Sequence, residues 1–150
     1  MAGVRPRAAV NRAQAVYTNT LHGLRLRAGV SPDMVALAFH SSLTLLSLEI
    51  EGRSYGGGIL KLEPTEMGRA RLPWPEEPAL HEALQPTVAA VDRLLREGNY
   101  TGAIDAVDAA LLRGGLNLAD EEIHLLRSGR QRLARRRMQR VRGRRGEPCC

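Results

Sequence analysis

The stretch from Thr44 to Arg71, TLLSLEIEGRSYGGGILKLEPTEMGRAR, limits the possible folds of this chain most strongly. An apolar helical pattern leads into a polar turn, and a short alternating pattern typical of a strand follows it. The turn contains three consecutive glycines, Gly56, Gly57 and Gly58. Because glycine has no side chain, the backbone here can take positive φ angles and approach another backbone or a phosphate closely.

A guanidinium, a hydroxyl and an aromatic ring directly precede the glycines, from Arg53, Ser54 and Tyr55. These groups suit nucleic acid, because a guanidinium binds phosphates or guanine edges and a ring stacks on bases. Structural alternatives stand beside this interpretation. For Arg53 the alternative is a salt bridge with Glu49 or Glu51 that holds the turn in place. For Tyr55 it is a ring that covers the end of the preceding helix. Lys61, on the following strand, faces either solvent or the backbone of a duplex.

The positive charge of the chain is concentrated at its C-terminal end. Residues 1–126 carry 12 basic and 15 acidic residues, a balance of −3, whereas residues 127–150 carry ten arginines and one acid, a balance of +9. Such a block favours a polyanion, because each neutralised phosphate releases a counterion. A solvated tail without a defined partner is the alternative. The arginines taken as candidate nucleic-acid contacts are Arg130, Arg135, Arg136, Arg137 and Arg140.

The hydrophobic pattern predicts a helix at the centre of the first half. Residues 15–20 and 21–27 suggest extended structure, because Leu24 and Leu26 alternate with arginines. Ser31, Pro32 and Asp33 then form a strong helix start, and the helix should run to about Ile50. A short strand over residues 59–62 follows the glycines and ends at Pro64.

The second half has the pattern of a helical unit. Apolar spacing predicts helices over residues 79–97, over 101–113 and from 119 into the arginines. The predicted fold class is α+β, with short strands packed on one buried helix, followed by a small helical subdomain and a basic C-terminal helix. The predicted units are a recognition-like segment 1–73, a Pro-rich connector 74–78, a helical subdomain 79–126 and an arginine-rich end 127–150.

Metal, hydrolase and membrane functions find little support in the sequence. The four histidines have no carboxylate or cysteine at a ligand spacing, and no nucleophile-elbow pattern surrounds the serines. The most apolar stretch contains too many polar residues for a bilayer span. The adjacent Cys149 and Cys150 cannot join distant parts of a fold. We expect a cytoplasmic, reduced protein without a metal site.

Several motifs together resemble the C-terminal part of adenine-specific (N-6) DNA methyltransferases of bacterial restriction-modification systems. They are a TNT.H segment (Thr18, Asn19, Thr20, His22), a helix with SSLT at residues 41–44, the sequence EGRSYGGGILKLEPTE at 51–66, and Leu72-Pro73. The resemblance implies a target-recognition segment that holds double-stranded DNA. It implies contacts from Asn19, Thr20 and His22 in addition to the turn residues.

The resemblance does not extend to the catalytic motifs of that family. Its enzymes need a glycine-rich loop for S-adenosylmethionine and an Asn-Pro-Pro-Tyr type motif at the target adenine, and neither sequence occurs here. We therefore expect no catalytic residues and no cofactor in this chain, with S-adenosylmethionine bound by a separately encoded or upstream catalytic part. Two alternatives stay open. They are a free-standing, nonspecific nucleic-acid-binding protein that depends on the arginine tail, and an inactive gene remnant.

Overall fold

A computed structural model describes residues 6–143 of the chain, with the side chains of residues 140–143 outside that description. Cys149 and Cys150 also lie outside the described residues. The helices and strands, in chain order, are α1 (Pro32–Phe39), α2 (Ser42–Glu51), β1 (Arg53–Tyr55), β2 (Ile59–Lys61), α3 (Pro64–Arg69), α4 (Pro78–Ala83), α5 (Gln85–Arg96), α6 (Tyr100–Val107) and α7 (Asp120–Gly143). The strands form a two-stranded antiparallel sheet, so the predicted α+β class is confirmed.

The predicted single helix over residues 32–50 is wrong, because the chain bends by 73° between α1 and α2. Ser41 lies at the bend, and its hydroxyl accepts the N–H of Thr44 and donates to the carbonyl of Ala38. A serine at this position satisfies backbone groups that a continuous helix would satisfy by itself. The start at Ser31 is confirmed, since its hydroxyl caps α1 by accepting the N–H of Met34.

The predicted extended structure over residues 15–27 is also wrong, since the segment forms no strand and turns at Thr18–Leu21. The two strands of the hairpin pair only with each other, so no sheet edge holds this segment. Within the segment, His22 binds the carbonyl of Leu62 at 2.8 Å, and the residues before it are attached by two arginines. Arg12 binds the carboxylate of Asp33 with 2.6 and 2.7 Å contacts, and Arg7 lies 4.5 Å above the ring of Tyr100.

The apolar core has two parts, and each draws on several helices. Around α1, Met34 and Leu37 pack with Leu84, Val91 and residues of α6, and Trp74 packs against the same cluster. Around α2, Leu45 and Leu48 pack with Phe39, Leu60 and Leu62. Residues before and after the predicted connector at 74–78 therefore share one cluster, which places α1 of the first half against the helices of the second.

A buried carboxylate holds three elements together at the start of α2. Asp108 begins a π-helical segment, Asp108–Gly115, that continues α6, and it is 1% exposed. It accepts the backbone N–H and the hydroxyl of Ser42 at 2.8 and 2.6 Å. It also accepts the guanidinium of Arg127 in α7, at 2.8 Å. A carboxylate is stabilised beside the first N–H groups of a helix, so Asp108 fixes the start of α2 against α7.

The glycine turn gives the first prediction. Gly57 has a φ of +77° and no atom within 4 Å of the position that a Cβ would occupy. Gly68, in α3, has the same open space without a positive φ. Gly57→Ala should therefore lower the free energy of unfolding by about 1–2 kcal/mol through backbone strain alone. Gly68→Ala should raise it by roughly 0.5–1 kcal/mol. Urea unfolding of both variants measures the two signs, and a neutral Gly57→Ala would contradict the turn geometry.

The buried His40, at the bend between α1 and α2, gives a second prediction. Its Nδ1–H donates to the carbonyl of Ala36 at 2.8 Å, and its Nε2 has no partner among the described residues. Burial lowers the pKa of His40 below its ordinary value of 6.5, because the charged ring would lose its hydration. The unfolded chain therefore takes up this proton first as pH falls, and the stability present above about pH 6.5 decreases below it.

Between pH 6.5 and 5 the free energy of unfolding should fall by up to about 1.4 kcal/mol per pH unit through His40. His40→Gln should remove this part of the slope, and urea unfolding across the pH range measures it. His124→Gln, at an exposed position of α7, is the matched control and should leave the slope unchanged. Equal slopes for wild type and His40→Gln would contradict the neutral, buried state.

Candidate nucleic-acid interface

The β1–β2 hairpin presents one face to solvent. In its register Arg53 lies opposite Lys61, Tyr55 opposite Ile59, and Ser54 opposite Leu60. Side chains of a strand alternate between the two faces, so Arg53, Tyr55 and Lys61 share a face, while Leu60, 1% exposed, points into the core. Arg53, Ser54 and Tyr55 are all exposed. The hairpin thus places two cations and an aromatic ring together on its outer face.

Arg53 pairs with a carboxylate that the sequence did not suggest. Its Nε lies 2.7 Å from Oε1 of Glu66, so the structural alternative of a salt bridge is present with Glu66 in place of Glu49 or Glu51. Glu49 instead binds Arg137, and Glu66 is brought to Arg53 by α3. Proline at the first helical position and a reciprocal capping box between Glu63 and Glu66 define the start of this helix. The sequence EPTE at residues 63–66 is the local pattern that predicts this helix start.

Lys61 lies close to both an acid and an aromatic ring. Its Nζ is 2.7 Å from Oε1 of Glu63 and 5.4 Å from the centroid of the Tyr55 ring. The hydrogen bond and the charge of Glu63 raise the pKa of Lys61, and the same pair lowers the pKa of Glu63. Since Lys61 and Glu63 are both partly exposed, solvent screens their attraction and a phosphate can replace the carboxylate.

The glycine turn joins β1 to β2 and contacts α7. Gly56, Gly57 and Gly58 form a short 3₁₀ turn in which Gly57 and Gly58 have φ angles of 77° and 75°. Glycine adopts this conformation without a steric penalty. The carbonyl of Gly58 accepts a hydrogen bond from the guanidinium of Arg137. The glycines connect two strands, whereas a glycine-rich loop for a cofactor such as S-adenosylmethionine leads from a strand into the start of a helix, so they do not fit that cofactor.

Among the arginines of α7 whose side chains the structure describes, Arg137 alone is buried. Its side chain is 4% exposed and that of Glu49 is 5% exposed, and the two form a double contact at 2.7 and 3.1 Å. Together with the carbonyl of Gly58, these contacts occupy the guanidinium inside the protein. Arg137 was a candidate for DNA contact on charge alone. Its position assigns it to holding α7 against α2 and the glycine turn.

The arginines that face solvent lie on the opposite side of α7. Arg132, Arg135 and Arg136 are exposed, whereas Arg127 and Arg130 are half-buried and Ile123 is buried. Residues three and four apart lie on one side of a helix, so the three exposed arginines form a stripe. The backbone of Arg140 continues α7 beyond them, and its side chain lies outside the described atoms. Arg132 was missed by the sequence interpretation, although its spacing from Arg135 and Arg136 carried the signal.

The TNT.H segment reaches the base of the hairpin through its histidine. Nε2 of His22 donates to the carbonyl of Leu62, directly after β2, at 2.8 Å. Asn19 and Thr20 lie in the exposed turn before it, where the hydroxyls of Thr18 and Thr20 are 2.7 Å apart. The structure therefore brings His22 to the hairpin that carries Arg53 and Lys61.

For a metal centre or a membrane span, the relevant part of the chain is residues 6–143, which the structure describes. No group of three or more histidine, cysteine or acidic residues in that range is placed to hold a metal ion. No single described helix is long and apolar enough to cross a bilayer. Only the bent pair α1 and α2 reaches the necessary length and composition together.

Comparison with known proteins identifies a family for this fold and surface. The family model described as type II methyltransferase M.Eco57I, C-terminal domain, matches residues 1–112 of the 150. The match includes the TNT.H segment and the whole hairpin, and it ends within the π-helical segment before α7. No curated protein and no solved structure matches the chain. This chain belongs to the family of the C-terminal domain of the type II methyltransferase M.Eco57I.

Proposed function

We propose that this chain binds double-stranded DNA as the target-recognition side of an adenine-specific DNA methyltransferase of a restriction-modification system. The hairpin face contacts the duplex through Arg53, Tyr55 and Lys61. The exposed stripe of α7, Arg132, Arg135 and Arg136, adds contacts to phosphates. Phosphate contacts supply most of the affinity and base contacts supply the sequence preference.

The observation that carries this proposal is the contact between the basic helix and the glycine hairpin. Arg137 binds both Glu49 and the carbonyl of Gly58, so the last turns of α7 are held at the hairpin turn. Arg137 makes this attachment inside the protein, while Arg132, Arg135 and Arg136 remain exposed to solvent. A tail that served only as a solvated polycation has no need of a buried arginine, because burying a charge is costly unless it is paired.

The proposed partner is a methyltransferase catalytic part, either upstream or separately encoded, which binds S-adenosylmethionine and transfers the methyl group. Membership of a C-terminal domain family supports such a partner. In this assignment the chain supplies DNA contacts and no reacting group.

A free-standing, nonspecific nucleic-acid-binding protein is the second candidate. The balance of +9 over residues 127–150 favours it. The two functions differ in sequence preference, because base–edge contacts discriminate between duplexes and phosphate contacts do not. Deleting residues 127–150 is a poor test, since it also removes Arg127 and Arg137 from the buried carboxylates of Asp108 and Glu49.

Point substitutions in the exposed stripe give the third prediction. Arg135→Gln together with Arg136→Gln should weaken binding to a duplex and make the slope of log K against log salt less negative by about two, roughly 0.9 for each lost phosphate contact. The measurement is fluorescence anisotropy with a labelled duplex at several salt concentrations.

The matched control removes the same charge from α5, at the exposed Arg93 and Arg96. Arg93→Gln with Arg96→Gln should leave the slope close to that of the wild type. Equal losses in both double variants would show that net charge alone governs binding, which contradicts an interface on α7. Absence of any binding by the wild-type chain would contradict the proposed function itself.

A further inference from the structure

The pairing of Arg53 leaves part of its guanidinium available for a ligand. The shortest contact between the two side chains joins Nε of Arg53 to Oε1 of Glu66, at 2.7 Å, and among the described residues Arg53 has no second ion-pair partner. The side chain of Arg53 is 76% exposed although it is paired. The two terminal nitrogens of a guanidinium donate parallel hydrogen bonds to two adjacent acceptors.

The carboxylate that holds Arg53 is itself fixed. The side chain of Glu66 is 6% exposed, and its Oε2 accepts the backbone N–H of Glu63 in the capping box of α3. A carboxylate buried in this way cannot follow a moving guanidinium into solvent. The direction of Arg53 is therefore set by the backbone at the start of α3 and by the strand β1 that carries it.

Lys61, directly opposite Arg53, is held differently. Its partner Glu63 is 46% exposed, and Lys61 itself is 39% exposed. An exposed pair of this kind contributes little and exchanges readily. The ammonium is also a point charge without the planar fork of arginine, so it suits a phosphate better than a base edge. Glu66 therefore fixes the position of Arg53, whereas Glu63 only neutralises the charge of Lys61.

We propose that Glu66 is a positioning residue that aims the terminal nitrogens of Arg53 at a base edge with two adjacent acceptors, the O6 and N7 of guanine in the major groove. Lys61 leaves Glu63 and binds a phosphate when the duplex docks. This inference rests on the proposed DNA-binding function and adds to it the base type and the residue that controls its recognition. The arginine–guanine pairing is geometrically well suited to discrimination between base pairs.

The experiment selects full-length protein on a pool of randomised duplexes and sequences the bound fraction. The wild type should enrich duplexes with guanine at one position. Arg53→Lys keeps the charge and removes the fork, and should reduce that enrichment about tenfold, within the range for loss of a bidentate contact. Glu66→Gln keeps the acceptor for the capping box but frees Arg53, and should reduce the enrichment similarly while overall affinity stays equal or rises.

Glu63→Gln is the matched control, since it removes an acid next to the other cation. It should raise overall affinity without changing the enriched sequence. If Glu66 has a structural role only, Glu66→Gln lowers the free energy of unfolding but leaves the enriched sequence of the folded protein unchanged. That result would overturn the positioning role. Full enrichment by Arg53→Lys would overturn the base contact even if Glu66→Gln failed to fold.

Failure of the proposed function is distinguishable from failure of this inference. Wild-type protein that captures no duplex removes both. Wild-type protein that binds duplexes with a steep salt dependence but enriches no sequence leaves DNA binding in place and overturns the role of Arg53 and Glu66. Enrichment of A·T base pairs alone, with no G·C pair selected at any position, also overturns the role of Arg53 and Glu66.

Discussion

The arrangement of this protein depends on a buried ion pair between Glu49 near the end of α2 and Arg137 in α7. Removing one partner of such a pair leaves an uncompensated charge inside the protein, at a cost of about 3–5 kcal/mol. A second charged contact, Asp108 with Arg127, joins α7 to the start of α2, where Ser42 is bound. The Asp108 contact lies at the start of α2 and the Glu49 contact near its end, and along α7 they follow in the same order, roughly three turns apart. The two helices therefore run side by side in the same direction.

This attachment gives the basic end of the chain a defined place. Between the two ion pairs Gly129 of α7 faces the side chain of Leu46 in α2, at an ordinary packing distance. Arg137 then extends the contact to the carbonyl of Gly58 in the hairpin turn. The exposed arginines of α7 and the exposed face of the hairpin consequently belong to one folded body. The family match covers residues 1–112, so α7 lies outside the matched residues.

Local signals in the sequence predicted much of this structure. The cap at Ser31, the strand after the glycines and the acidic start of α7 are all local patterns, and the structure has each of them. The pairing of acids with arginines was not predictable, because Glu49 and Arg137 are far apart in the chain. Alternation at residues 21–27 was misleading, since a strand also needs a partner. Charge alone likewise gave no way to separate the buried Arg137 from the exposed Arg135 and Arg136.

Native-state hydrogen exchange of the full chain tests the central claim, that α7 is fixed to α2 and the hairpin. The amides of α7 should be protected from exchange as far along the helix as Arg137. Glu49→Gln should remove protection from the turns of α7 around Arg137 and from the glycine turn. Protection reports the free energy of local opening, so a fixed helix and a frayed tail give different results. Wild-type amides from residue 130 to 139 that exchange as fast as an unstructured chain would contradict the account.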